Sequence, residues 1–297
     1  MEDQLGAFLE FLATERNYSD NTVAAYRNDL SQFMTWLTSQ HPEIIHWAEA
    51  RSDIVASYVE SLNQKSYTAS SVARKIAAIK SFFHFLLARG IIVSDPTMNI
   101  DSPKVKKHLP QTLPTEDVEK LLESPRKKRT PKGLRDLALL HVLYSTGMRV
   151  TEVVTLQVSD VDLESSSISC SSKDNHVRVL PLDEETDQVL TEYLSNGRPH
   201  LVKNKDESAL FLNHRGQQLT RQGLWLIIKA YAEQAELGDK VTPHTLRHSF
   251  AANKLRSGSE LREIQHLLGH ANISTTQIYS QLLSKEDEER AHPVSSF

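Results

Sequence analysis

The stretch from Val241 to Tyr279 decides how the rest of the chain is read. It runs Val-Thr-Pro-His-Thr-Leu-Arg-His-Ser-Phe over Val241–Phe250, Leu-Leu-Gly-His over Leu267–His270, and Ala-Asn-Ile-Ser-Thr-Thr-Gln-Ile-Tyr over Ala271–Tyr279. Thr242 can cap a helix, and Pro243 suits the first helical position because its missing N–H has no partner there, so a helix is predicted from His244. On that helix His244 and Arg247 project from one face and can reach a single anion. A second helix is predicted after Ser259 and is stopped by Gly269 in the left-handed cap conformation, which sets His270 at a fixed corner. Tyr279 follows in a short segment behind the polar residues Ser274 to Gln277. A tyrosine with two histidines and an arginine converging on it suggests a nucleophile with a phosphate clamp.

Upstream, Thr146–Glu152 reads Thr-Gly-Met-Arg-Val-Thr-Glu, so Glu152 stands one helical turn from Arg149 and can hold its guanidinium through paired hydrogen bonds. Taken together, His-x-x-Arg, Leu-Gly-His and the following Tyr, behind Thr-Gly-Met-Arg, resemble the signature of the tyrosine recombinases, also called the phage integrase family. The wording is nearest to the XerC/XerD subfamily. The resemblance implies a mostly α fold with a small β-hairpin or sheet (α+β), in which an N-terminal SAM-like helical bundle precedes the tyrosine-recombinase catalytic domain. It also implies a catalytic set of Arg149, Lys173, His244, Arg247, His270 and Tyr279, with Glu152 in support.

Helical periodicity marks four helices in the first part of the chain: Gln4 to Thr14, one after Ser19-Asp20-Asn21, Asp53 to Leu62, and Ala69 to Ala88 stopped by Gly90. In the last of these, Val72, Ile76, Ile79, Phe83 and Leu86 form the apolar stripe, and Arg74, Lys75 and Lys80 are read as lying away from it, free to face a phosphate backbone. Four prolines between Ser94 and Pro114, with Lys104, Lys106 and Lys107, mark an extended basic linker suited to lying along DNA. Residues 1–93 are therefore expected to form a helical DNA-binding domain, 94–114 the linker, and 115–297 the catalytic domain with a short amphipathic tail from Ser284 to Ala291.

In that second domain, helices are expected near Glu116–Glu123, Gly133–Ser145 and from Pro181 to about Ser195. Ser166–Ser172 and Val177–Leu182 read as two strands around the turn Lys173-Asp174-Asn175-His176. The family carries its catalytic lysine on such a hairpin, in a Gly-Lys-Gly-Asn type of turn. Here Ser172 and Asp174 stand in place of the glycines. A helix from Thr220 to Ala235 carries Arg221 and Gln222 near its start, which the resemblance places near DNA.

A net charge of −4 seems to argue against a nucleic-acid partner, but the charge is segregated. Residues 1–64 carry three basic and ten acidic side chains, and residues 65–107 carry eight basic and two acidic, so a local positive surface survives the acidic total. With 39% hydrophobic and 24% charged residues, the chain has the composition of a globular protein. It shows no apolar run long enough to cross a bilayer and no basic leader at Met1-Glu-Asp-Gln, which implies no membrane insertion and a cytoplasmic location. The single cysteine, Cys170, cannot form an internal disulfide.

The 13 histidines show no metal-ligand spacing, so neither metal nor cofactor is expected. The chemistry that follows is attack of Tyr279 on a DNA phosphodiester, giving a 3′-phosphotyrosyl link and a free 5′-hydroxyl. Arg149, Arg247 and His270 would stabilise the phosphoryl charge, and Lys173 would protonate the leaving oxygen. Tyrosine has a pKa near ~10 and needs a base; His244 and His270 are both candidates. The resemblance implies as partners a double-stranded recombination site, a homo- or heterotetramer with a second recombinase, and an activating protein, in a role in resolving chromosome dimers. A phage or mobile-element integrase and a type IB topoisomerase are the alternatives within DNA chemistry. A DNA-binding protein that has lost catalysis is the alternative outside it.

Overall fold

The computed structural model describes residues 1–65, 67–103, 109–171 and 177–291, with side chains as far as 284. Lys104, Lys106, Lys107 and Lys173 lie outside the described residues. The chain divides into two compact units, Met1–Lys107 and His108–Phe297.

The first unit is a bundle of α1 (Glu2–Thr14), α2 (Asp20–Gln40), α3 (Ser52–Gln64) and α4 (Ala69–Ala88). Its helices start where side-chain caps satisfy free N–H groups: Ser19 accepts from the Thr22 amide and Thr68 from the Ser71 amide. Gly90, at φ 67°, follows α4 in a conformation that other residues rarely adopt. The core is aromatic, with Phe8, Phe33, Trp47, Phe82 and Phe83 buried. Phe82 lies 5.3 Å from Phe8 and 4.8 Å from Trp47, both edge-on, the geometry that suits ring quadrupoles.

The five residues of the α4 stripe are all buried, but the apolar face is wider than they are and includes Phe82 and Phe85. This corrects the reading of Lys75. Three residues after Val72, it falls on the inward face and is 2% exposed; its ammonium donates to Asp29 at 3.0 Å and to Gln32 at 2.7 Å. A phosphate backbone cannot reach it. Arg74 is exposed but also donates to Asp29, and Lys80 is half-buried.

The second unit is built around α6 (Pro131–Thr146), whose Leu137 to Leu140, Val142 and Leu143 are buried on every side. Such a helix needs neighbours all round. They include α5 (Thr115–Glu123), α7 (Val150–Thr155), α8 (Glu184–Glu192), α9 (Arg198–Leu201) and α11 (Pro243–Arg256). The remaining helices are α10 (Arg221–Gln234), α12 (Leu261–Leu268) and α13 (Gln277–Ala291).

The expected hairpin is part of a three-stranded antiparallel sheet, because β1 (Val161–Asp162) adds to β2 (Ser167–Ser171) and β3 (Val177–Pro181). Ile168 pairs with Leu180 and Cys170 with Arg178, and all four point inward, while Val177 and Val179 face out. The helix expected from Pro181 to Ser195 starts at Glu184 behind the Asp183 cap, and a π-helical turn follows it over Tyr193–Gly197. Tyr279 also differs from expectation: it lies in the first turn of α13, which continues unbroken through the segment read as a separate tail. Among the described residues no helix is long and apolar enough to cross a membrane.

Removing a buried ion's partner costs about 3–5 kcal/mol, whereas removing both partners can be nearly neutral. Asp29→Ala should therefore destabilise the chain by about 3 kcal/mol in urea unfolding, and Asp29→Ala with Lys75→Met should recover most of the loss. A double variant as unstable as the single one would show that the loss does not come from leaving the Lys75 charge buried without Asp29.

Candidate active site

Two turns of chain bring the site together, and each ends in a left-handed glycine. Gly147 (φ 59°) closes α6 and Gly269 (φ 60°) closes α12, so each helix stops with its last carbonyls free of intrahelical partners. Arg247, buried on α11, supplies what they lack. Its guanidinium donates to the Gly147 carbonyl and, at 2.6 Å, to the Leu268 carbonyl. The start of α11 is set as the sequence indicates, with the Thr242 hydroxyl accepting from the Thr245 amide at 3.0 Å and Pro243 behind it. Burial, then repulsion from Arg149, pulls the Arg247 guanidinium down to about 10, which leaves it charged at neutral pH.

Arg149 is the residue that precedes and caps α7, and its side chain is 43% exposed. One end of its guanidinium donates to Glu152 at 3.0 Å and the other to the Gly269 carbonyl at 3.1 Å. Glu152 also accepts from the Arg149 amide at 2.6 Å and takes Arg178 through two parallel bonds of 3.0 and 2.9 Å. Burial pushes the Glu152 carboxyl up, but the Arg178 bonds and the Arg149 amide outweigh it, and the net direction is down. One carboxylate thus stands among Arg149, Arg178 and Arg247. The cluster carries an excess of positive charge, the condition for holding a phosphate whose charge grows as it reacts.

His270 follows Gly269, and its Nδ1 lies 3.0 Å from the Thr276 hydroxyl. Burial, followed by Arg247 and Arg149, pulls the imidazole down to about 4, so it is neutral at pH 7. Tyr279 is 1% exposed in a small core with Phe250, Ile264 and Leu268, and burial raises its hydroxyl against the opposing pull of Arg247.

The partner of the Tyr279 hydroxyl is neither of the histidines singled out in the sequence. His248 Nδ1 lies 2.8 Å from it, while His244 is exposed on the first turn of α11. Burial first, then His244 and Arg247, lowers the His248 pKa and leaves a neutral ring able to accept the tyrosine proton.

The structure therefore brings Arg149, Glu152, Arg247, His270 and Tyr279 into one cluster and adds His248 and Arg178. His248 sits directly after Arg247, and its signal was that a third ring stands four residues after His244 on the same helix. Arg178 had a clearer signal, because it occupies an inward position of a strand whose other inward residue is Leu180. Arg221 and Gln222 are exposed at the start of α10, and Arg74 and Lys80 lie in the first unit. Among the described residues, Glu123, His141 and Glu185 offer ligand atoms within 4.8 Å of one another, but Arg126 already bridges the two carboxylates.

A family model described as "Phage integrase family" matches residues 111–286, and one described as "Phage integrase, N-terminal SAM-like domain" matches residues 5–90. Among curated proteins, the chain is 47% identical to "Tyrosine recombinase XerC" of Roseiflexus sp. (strain RS-1), over 100% of this chain and 93% of the relative. It is 43% identical to "Tyrosine recombinase XerD" of Listeria monocytogenes serotype 4b (strain F2365), over 99% of both chains. Among solved structures, the XerA recombinase aligns with a TM-score of 0.53 at 30% identity, covering 97% of this chain and 98% of that one. The XerH site-specific recombinase bound to palindromic difH substrate, in a post-cleavage complex, aligns at 0.77 and 24%, covering 93% and 80%.

The depressed His270 pKa has a consequence of fixed sign. Between about pH 6.5 and pH 4 the unfolded chain holds a proton on this ring that the folded chain does not, so stability falls as pH drops through that window and is unaffected above it. His270→Asn should flatten this part of the curve in urea unfolding, and the wild-type ring should titrate by NMR at about 4. A midpoint at or above ~6.5 would falsify the assignment.

Proposed function

The chain belongs to the phage integrase family of tyrosine recombinases, and on that premise we propose that Tyr279 is its nucleophile, with Arg149, Arg247 and His270 holding the phosphate it attacks. It is a site-specific recombinase of the Xer type, an enzyme that cleaves and rejoins DNA through a tyrosine. The observation that supports the assignment of roles is that Arg149, Arg247 and His270 are all tied to the two glycine turns, with Tyr279 packed against Leu268 at the end of α12.

In the proposed reaction the Tyr279 oxygen bonds to the phosphorus and the bond to the 5′-oxygen breaks, giving a 3′-phosphotyrosyl link. The phosphoester bond energy is conserved for the reverse attack by the partner strand's 5′-hydroxyl. Arg149 and Arg247 act on the non-bridging oxygens. Arg has five N–H donors, so each keeps some for a ligand after its bonds within the protein. Neutral His270 donates a further N–H. His248 is placed to take the tyrosine proton, which puts it beside His244 and His270 as a candidate base. Because the Tyr279 hydroxyl is enclosed, the first turn of α13 has to shift before it meets DNA. Arg221 and Gln222 on α10, and Arg74 and Lys80 on α4, are the proposed contacts to the duplex, joined by the lysines at 104, 106 and 107. We assign the biological role to resolution of chromosome dimers by a tetramer on paired sites, because the relatives at over 40% identity along the whole chain carry the XerC and XerD names.

On a nicked duplex that traps the cleaved state, the wild-type protein should form a covalent protein–DNA adduct, and Tyr279→Phe should form none while binding the duplex almost as well. An adduct persisting in that variant would place the nucleophile elsewhere. Lys173 is the proposed acid for the 5′-oxygen, a contribution of about 10²–10⁴ in rate. Lys173→Ala should be slowed to that extent on ordinary DNA and largely rescued when sulfur replaces the leaving oxygen, because a thiolate leaves without a proton. Failure of the sulfur substrate to rescue would remove Lys173 from that role.

A further inference from the structure

Arg178 occupies a position that strand periodicity reserves for an apolar side chain. On β3 it points inward with Leu180, between outward valines, and is 7% exposed. A buried ion pair adds little stability over apolar residues of the same volume, so the pair is poorly explained by stability alone. What a guanidinium supplies and an apolar side chain does not is a rigid planar fork.

All of that fork is used. Two of its nitrogens grip the two oxygens of Glu152, and its Nε donates to the Leu267 carbonyl at 3.0 Å. Each Glu152 oxygen accepts one bond from Arg178 and one from Arg149: Oε1 takes the Arg149 side chain and Oε2 takes the Arg149 amide. With Arg178 in place, the carboxylate plane cannot turn about its last bond. Without it, the carboxylate would be held only by the Arg149 amide and by the Arg149 guanidinium itself, so nothing outside Arg149 and its own helix would fix where that guanidinium lies. The same side chain lies against Gly269, where an added Cβ would stand 2.9 Å from its Nη1. Gly269 is the turn that receives Arg149 through its carbonyl and presents His270.

We propose that Arg178 is a positioning residue for the strand-transfer reaction: it locks Glu152, and through it sets the Arg149 guanidinium, in register with the Gly269–His270 turn. This rests on the reading above in which Arg149 neutralises the phosphate. Arg178 touches no substrate, and its effect is read through the group it aligns.

The test uses the full chain and a nicked duplex carrying a site that this protein selects from a random pool. Its scissile phosphate is either ordinary or a methylphosphonate, in which a methyl group replaces one non-bridging oxygen and removes the charge. Misplacing a catalytic group by about 1 Å costs on the order of 10²-fold. Arg178→Lys keeps the charge and loses the fork. It should therefore form adduct about 10²-fold more slowly in single turnover at saturating protein, with half-site affinity and melting temperature close to wild type. On the methylphosphonate it should recover most of the loss, as Arg149→Ala should. Where Arg178→Lys does not fold, Arg178→Met with Glu152→Gln removes both charges together and should show the same pattern. A wild-type rate on ordinary DNA, or an equal loss on both substrates, overturns the proposal, since a purely structural role would weaken both alike. If wild-type protein forms no adduct that depends on Tyr279, or if Arg149→Ala is not rescued, the reading of the site fails and takes the proposal with it. If both controls behave and Arg178→Lys does not, the proposal alone falls.

Discussion

One carboxylate, Glu152, holds a group of positive charges together, and the geometry of the site depends on it. Arg149 and Arg178 would repel each other if left to themselves, and both lie close enough to Arg247 to oppose its charge. Glu152 separates and orients them. It can do so because it accepts on both oxygens from two sides, from the start of α7 and from β3. Residues far apart in sequence are fixed to a common carboxylate plane. Arg247 performs the complementary task from above: it donates to the carbonyls that end α6 and α12, so its own charge is balanced by backbone dipoles rather than by a second acid. The cluster therefore keeps its excess positive charge instead of neutralising itself.

Features set by neighbours in the chain could be read from the sequence, and features set by neighbours in space could not. Helix α4 has the predicted ends, and Thr242, Pro243, Gly147 and Gly269 do what their types dictate, because capping and left-handed turns are decided within a few residues. Lys75 was misread because its burial depends on Asp29 and Gln32 on another helix, and a lysine beside an apolar stripe gives no local sign that such partners exist. The length of α13 was missed for the reverse reason. Its residues after Tyr279 have weak apolar periodicity, and the helix is organised from its first turns, where Ile278, Tyr279 and Leu282 meet the protein.

The residues proposed for chemistry follow the same division. Spacing found the pair His244 and Arg247, but spacing cannot say which of two histidines on a helix reaches a tyrosine that arrives from a later element. His248 emerges only when α13 packs on α11. Arg178 was legible in principle, since a charged residue at an inward strand position demands an explanation, but its partner Glu152 lies on a different element.

With Tyr279 as the proposed nucleophile, its burial also sets how often the hydroxyl is free to react. Exposing a tyrosine ring costs about 2 kcal/mol, and giving up its hydrogen bond about 1 more. By that arithmetic, the form with a free hydroxyl makes up roughly one molecule in a hundred at equilibrium. A solitary copy meeting DNA by chance would then cut about a hundredfold less often than one whose tyrosine is held out by its surroundings. On the role proposed for Tyr279, the packing of one side chain thus lowers the frequency of cutting by about the same hundredfold.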